Sequence, residues 1–232
     1  KVLRLIPDRP SGDATAGLSS ASWGASAARR SAPTQYDADA AVAAAVKAEQ
    51  RLAHSAQQDG FRVLTVPQRG AEDAMRRLAV EPYGARPVSL TGLFVDELRS
   101  VVGESARPTW ETVLKADAAE PGSRAHQQLR IRTDKAWGRI EPRLRETLAQ
   151  GHGPLLLTDT AVLARYDALD LLGRLAEEAR QGGSPLWLLV AQSDPARAPR
   201  LAGQSVPYQA GFDEWIVVPD AWVTRKHLAP DA

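Results

Sequence analysis

Between residues 151 and 194 the apolar positions fall into two unbroken runs with a helical pattern between them. The first run, Pro154-Leu155-Leu156-Leu157, ends in Thr158-Asp159-Thr160. The second, Leu186-Trp187-Leu188-Leu189-Val190, leads into Gln192-Ser193-Asp194. A strand buried on both faces needs a run without alternation, and the helix between two such runs is the crossover that makes them parallel. The expected unit is therefore β–α–β with a right-handed crossover. In open α/β sheets, ligands lie beyond the carboxyl ends of the strands. Asp159, Thr160, Ser193 and Asp194 stand at those ends and are the candidate ligand-binding residues.

The periodicity of the other segments builds outward from this unit. Val2, Leu3, Leu5 and Ile6 suggest a short strand, stopped by Pro7 and Pro10. Residues 11–33, rich in Ser, Ala, Gly and Thr, read as a flexible linker carrying Trp23 and Arg29-Arg30. Residues 37–58 read as a helix with the stripe Ala41, Ala45, Ala48 and Leu52, capped by Asp37 or Asp39 and ended by Gly60. Residues 61–66 form a strand closed by Pro67. A short helix over 72–80 turns Met75, Leu78 and Ala79 inward, and a turn follows at 81–84. Residues 88–90 are extended or already helical, and lead to a helix with the apolar face Leu93, Phe94, Leu98, Val101 and Val102.

Thr109 is placed to cap a helix over 110–115. Ser123 opens a long helical run to Gln150, with apolar positions Leu129, Ile131, Ala136, Trp137, Ile140, Leu144 and Leu148. Pro142 is expected to kink or split it. Beyond the central unit, a turn is expected at 201–203 and two short strands at 206–208 and 214–218. The chain then divides into a flexible segment at 1–35, an α/β domain at 36–223 and a polar tail at 224–232. The fold expected is a small, mainly parallel sheet packed by helices and preceded by a helical arm. That outline is also compatible with a degenerate relative of the P-loop nucleoside triphosphatases.

Composition narrows the chemistry. The formal net charge is +1 over 232 residues, so electrostatics make no general case for nucleic acid or anionic lipid. Cysteine is absent, and the four histidines have no ligand spacing, so neither a disulfide nor a metal site is expected. No run approaches the roughly 20 apolar residues of a membrane span. The first residue is lysine, which suggests a fragment or a processed form. A phosphate loop needs G-x-x-x-x-G-K-[ST], and none of the five lysines follows a glycine. Residue 160 is threonine where those enzymes usually carry an acidic base. The H-R-D and D-F-G motifs of kinases are missing, as are a G-x-S-x-G elbow and a G-x-G-x-x-G turn after a strand. No catalytic residue and no cofactor is assigned.

The remaining polar and aromatic residues read more plainly. Asp167 and Asp170 suit the cap and first turn of the helix at 168–180. The arginines between Arg124 and Arg145 alternate with Glu141 and Glu146, the pattern of a salt-bridged solvent face. Nucleic-acid contact is the disfavoured alternative, because no stacking aromatics accompany them. Asp117, Glu120 and Arg124 are expected in a solvated loop. Trp187 is expected in the core, while Trp110, Trp137, Trp215 and Trp222 are expected to line one seam or an interface. The candidate interface residues are Trp110, Asp117, Arg124, Trp215 and Trp222.

Three passages carry a family likeness. They are residues 107–117 with Pro121-Gly122-Ser123-Arg124; Pro154–Asp159 with Leu163-Ala164-Arg165-Tyr166; and Leu186–Val190 with Val206-Pro207 and Pro219-Asp220-Ala221-Trp222. Together the chain resembles, from about Asp37 to Val223, the C-terminal region of the PglW-type serine/threonine kinases of bacterial phage growth limitation (BREX type 2) systems. The resemblance implies a kinase domain upstream and a cytoplasmic role in antiviral defence. The implied partners are that kinase domain and the other proteins of the defence system, with no membrane. No kinase catalytic residue can be carried over, because none matches a position here. The reading reached is a non-catalytic regulatory or interaction domain; the alternative is a degenerate nucleotide-binding domain using Asp159 and Asp194.

Overall fold

The computed structural model describes residues 35–224. The strand expected at 2–6, the linker with Trp23 and Arg29-Arg30, and the tail at 225–232 lie outside the described residues. Five parallel strands form one sheet in the order β2-β3-β4-β1-β7. The central strands are β1 (Phe61–Pro67), β3 (Leu155–Thr158) and β4 (Leu186–Gln192), and the edges are β2 (Arg86–Ser89) and β7 (Trp215–Val217). β3 and β4 are neighbours in register, with Leu155 opposite Leu186 and Leu157 opposite Leu188. The two unbroken apolar runs are thus paired in parallel, as expected.

Alternation along each strand sends successive side chains to opposite faces. Phe61, Val63, Leu155, Leu157, Leu186, Leu188 and Val190 belong to one apolar layer. Helices α3 (Leu90–Gly103), α4 (Trp110–Asp117), α5 (Arg124–Ala149), α6 (Ala161–Arg165) and α7 (Leu169–Arg180) complete it. Leu64, Val66, Leu156, Trp187, Leu189 and Ile216 face the other way. They are covered by α1 (Gln35–Ser55), α2 (Ala71–Leu78) and α8 (Asp220–Val223). The helical arm is therefore docked from Ala45 onward: Ala45, Ala48 and Leu52 are buried, whereas Ala41 of the same stripe is exposed.

Several local expectations change. β2 is a paired edge strand although it contains Pro87, because an edge tolerates a missing donor. Ser89 ends it and caps α3, accepting from the Gly92 amide at 3.2 Å. α5 runs as one helix through Pro142. Its apolar positions on both sides of the proline, Trp137 and Ile140 before and Leu144 and Leu148 after, are buried in the same layer, and that burial holds the helix together. Ile131, placed on the inner face by the pattern, is 61% exposed.

Asp167 does not cap α7. Ala168 occupies the cap position without a side-chain bond, and Asp167, at φ 52°, turns toward Arg130. Residues 206–208 form no strand, since Pro207 lacks a donor and Tyr208 folds back onto the Val206 carbonyl at 2.9 Å. Instead β5 (Arg200–Leu201) and β6 (Gln204–Ser205) make a hairpin. Its turn residues Ala202 and Gly203 both take positive φ, which suits a two-residue hairpin loop. Gly153 is required for another reason: a Cβ there would sit 2.6 Å from the Gly84 carbonyl oxygen, where the turn at 81–84 meets the start of β3.

Candidate functional site

The four candidate residues stand at the carboxyl ends of the adjacent strands β3 and β4, and each has a different environment. Asp159 is exposed and adopts φ 52°, a conformation non-glycine residues rarely take. Two hydroxyls from the β2–α3 junction hold it there. Ser89 donates to its carboxylate at 2.6 Å, and Thr91 donates to its carbonyl at 2.8 Å. Thr160 is buried, and its hydroxyl points at the Leu189 carbonyl of β4 at 3.4 Å. Asp194 accepts from the Ala196 amide at 3.0 Å and lies 3.4 Å from the Arg197 guanidinium, so it stabilises its own turn. Ser193 is exposed. Gln192, at the end of β4, secures the same turn by donating to the carbonyls of Asp194 and Arg197 at 2.8 and 2.7 Å.

The end of β1 is where a phosphate loop would lie in a nucleotide-binding relative. Here Gln68–Gly70 make a single 3-10 turn into α2. α8 packs against that turn: Gly70 is buried, and a Cβ added to it would lie 3.0 Å from Val223 Cγ1. Arg69 pairs with Asp220 at 3.2 Å, and Arg77 donates to the Trp222 carbonyl. A partly buried polar cluster anchors α8. Glu49 accepts from Trp222 Nε1 at 2.6 Å, from Arg77 at 2.5 Å and from the Tyr83 hydroxyl. Arg77 also lies 4.0 Å from the centroid of the Trp222 ring. Burial and the Glu49 carboxylate together push the Tyr83 phenol upward.

The candidate interface residues do not share one surface. Trp222 is fully buried on the α1/α2 side, where its ring lies 6.0 Å from Tyr83. Trp137 is on the opposite side, stacked on Phe94 at 4.7 Å. The expectation that the four tryptophans line one seam fails because alternate strand residues and the helices of both layers claim them separately. Trp110 is partly buried, with Arg99 over its ring. Trp215 donates to Thr65 at 2.8 Å. Arg124 is exposed at the start of α5.

Asp117 is not in a free loop. It closes α4 and accepts from the Tyr166 hydroxyl and from Arg165, both at 2.8 Å. Arginines of α5 are salt-bridged as expected: Arg139 and Arg143 to Glu97 of α3, and Arg145 to Glu141, which also receives Arg174 from α7. Ser89, the cap of α3, and Thr91, in its first turn, give no sequence signal as partners of Asp159, because they reach it only through the β2–β3 pairing.

Comparison with known proteins adds a relationship. No family model and no solved structure matches the chain. Over 228 residues, 97% of the chain, it is 49% identical to "Probable kinase PglW" of Streptomyces coelicolor. The chain spans about 14% of the length of that protein. Along nearly its whole length, then, this chain is similar to a segment of a PglW kinase, in agreement with the likeness carried by its own residues.

Proposed function

We propose that the chain is a non-catalytic regulatory and interaction domain at the C-terminus of a cytoplasmic, PglW-type phage-defence serine/threonine kinase. Its partners are then the upstream kinase domain and other proteins of the defence system. One observation carries the reading: the strand ends at which an α/β domain would hold a substrate are committed to the domain's own fold. Asp159 is held by Ser89 and Thr91, Asp194 by its own turn, and the turn after β1 by α8. Among the described residues no helix is long and apolar enough to cross a membrane.

The test has two arms. Mixed with the remainder of its parent kinase, the chain is expected to co-elute in size exclusion and to alter the rate of phosphoryl transfer. A chain that does neither sinks the proposal. In the second arm the chain alone is heated with ATP, ADP or GTP, with and without magnesium. A ligand at a hundredfold excess over its Kd would add about 2.7 kcal/mol of stability. No shift is expected at millimolar nucleotide.

A second reading has a specific observation behind it. Asp159 and Ser193-Asp194 follow neighbouring parallel strands, the arrangement from which a degenerate nucleotide site would be built. An upward thermal shift with nucleotide that Asp159→Ala abolishes would establish that reading in place of the first.

A further inference from the structure

At the amino edge of the sheet, opposite the candidate site, a recess of about 170 Å³ opens between the end of α1 and the starts of β1 and β7. Its lining includes Gln50, Arg51, His54, Gln58, Arg62 and Asp213. Arg62 is the unusual member. It is the second residue of the central strand β1, on the face that otherwise carries Leu64 and Val66. A cation at such a place costs desolvation unless it is paired. Its one hydrogen bond is to the neighbouring Phe61 carbonyl at 2.8 Å. Among the described residues, no carboxylate lies within ion-pair distance of it.

The nearest acids are already engaged. Glu214 is buried and held by Arg180 at 2.7 and 2.9 Å and by the Gln209 amide at 2.7 Å. Asp213 pairs with Arg51 and is itself 77% exposed. Desolvation accordingly pulls the Arg62 guanidinium below its ordinary value, and the more distant charges of Glu214 and Asp213 only partly offset this. Arg51 lines the same recess; its Nη2 donates to the Trp215 carbonyl at 2.9 Å and to the exposed Asp213 carboxylate, beside which a bound anion would have to sit or which it would displace. Two arginine forks, with His54, Gln50 and Gln58 beside them, form a donor-rich wall suited to an anion with several oxygens. The volume is below the roughly 300 Å³ at which pockets for whole drug-sized ligands begin, so the occupant is a single anionic group.

We propose that this recess binds a phosphate group, free or as a monoester, between Arg51 and Arg62. The site lies away from Asp159 and Asp194 and is independent of the regulatory reading above. Phosphate is favoured over carboxylate because its three free oxygens can engage both forks at once. Phe212, adjacent to Asp213 in the chain, is 71% exposed and offers apolar contact to a residue next to a phosphorylated one.

The test is isothermal titration of the chain at low salt with inorganic phosphate, O-phosphoserine, a phosphoserine peptide, serine and acetate. Phosphate and O-phosphoserine are expected to bind, whereas serine and acetate are not. Arg62→Gln and Arg51→Gln are each expected to weaken binding by about tenfold or more, as the loss of one charge-assisted bond implies. The melting temperature of unliganded Arg62→Gln is expected to be unchanged or raised, because a desolvated charge has been removed. A phosphopeptide that binds more tightly than inorganic phosphate would identify a phosphorylated protein as the source; equal affinities would identify the free ion. Acetate binding as well as phosphate, phosphate affinity retained in both variants, or no heat with any phosphate would each overturn the proposal.

Discussion

Tyr166 shows how one side chain ties three elements together. It follows α6, its ring stacks on Phe94 of α3 at 4.7 Å, and its hydroxyl donates to Asp117 at the end of α4. Burial, then the hydrogen bond and charge of Asp117, push its phenol up to about 12 from the ordinary 10.0. The neutral form is therefore favoured in the folded state. Its contribution is complete below the unfolded value near 10 and is lost as pH rises toward the folded value near 12. Ultraviolet titration should show two tyrosines, Tyr83 and Tyr166, ionising late, and Tyr166→Phe should remove one of the two late steps together with part of the stability loss above pH 10. A Tyr166→Phe variant with an unchanged titration curve would contradict this account.

At the scale of the element, α5 poses the clearest question. A proline inside a helix costs about 3 kcal/mol relative to alanine, through the lost hydrogen bond and the ring's clash with the preceding turn. Pro142 nevertheless sits in an unbroken 26-residue helix. Its side chain is exposed, so replacing it removes no packing. Pro142→Ala is expected to stabilise the chain by about 1–2 kcal/mol, the gain being trimmed by the greater freedom of the unfolded chain. Urea denaturation measures this directly, and a variant less stable than the parent would show that the proline serves a shape that alanine cannot supply. The sequence indicated where the helix lies and which residues it buries, but not its continuity. Continuity depends on α3 and the sheet holding both halves of α5 against one layer, which no window of sequence around Pro142 contains.

At the scale of the whole molecule, the sheet separates two apolar layers that share its strands. Leu64 and Leu188 are both fully buried, on opposite faces of paired strands β1 and β4. Truncating either to alanine should cost about 2–5 kcal/mol, depending on how far the site collapses. Because the strands are common to both layers, each substitution should lower the same single transition. Trp222 reports on one layer and Trp137 on the other, so fluorescence and circular dichroism should give coincident unfolding curves for both variants. Two separated transitions would show that the layers fold independently.

Sequence alone determined the fold class and most of the helices and strands, because burial on two faces imposes an uninterrupted apolar run and burial on one face of a helix imposes a stripe. Leu155–Leu157 and Leu186–Val190 had no other economical reading. The position of Asp159 and Asp194 at adjacent strand ends followed from the same pattern and from the pairing of parallel strands. Tertiary structure decided what those residues meet. Ser89 is 70 positions from Asp159 and reaches it across a strand pair; Trp222 is 173 positions from Glu49 and reaches it through a shared layer. The paired state of Arg86–Ser89, the closure of the β1 turn by α8 and the place of Arg62, out of ion-pair distance of any carboxylate among the described residues, have the same origin. Each depends on contacts between residues remote in the chain, which periodicity, capping and composition do not encode locally.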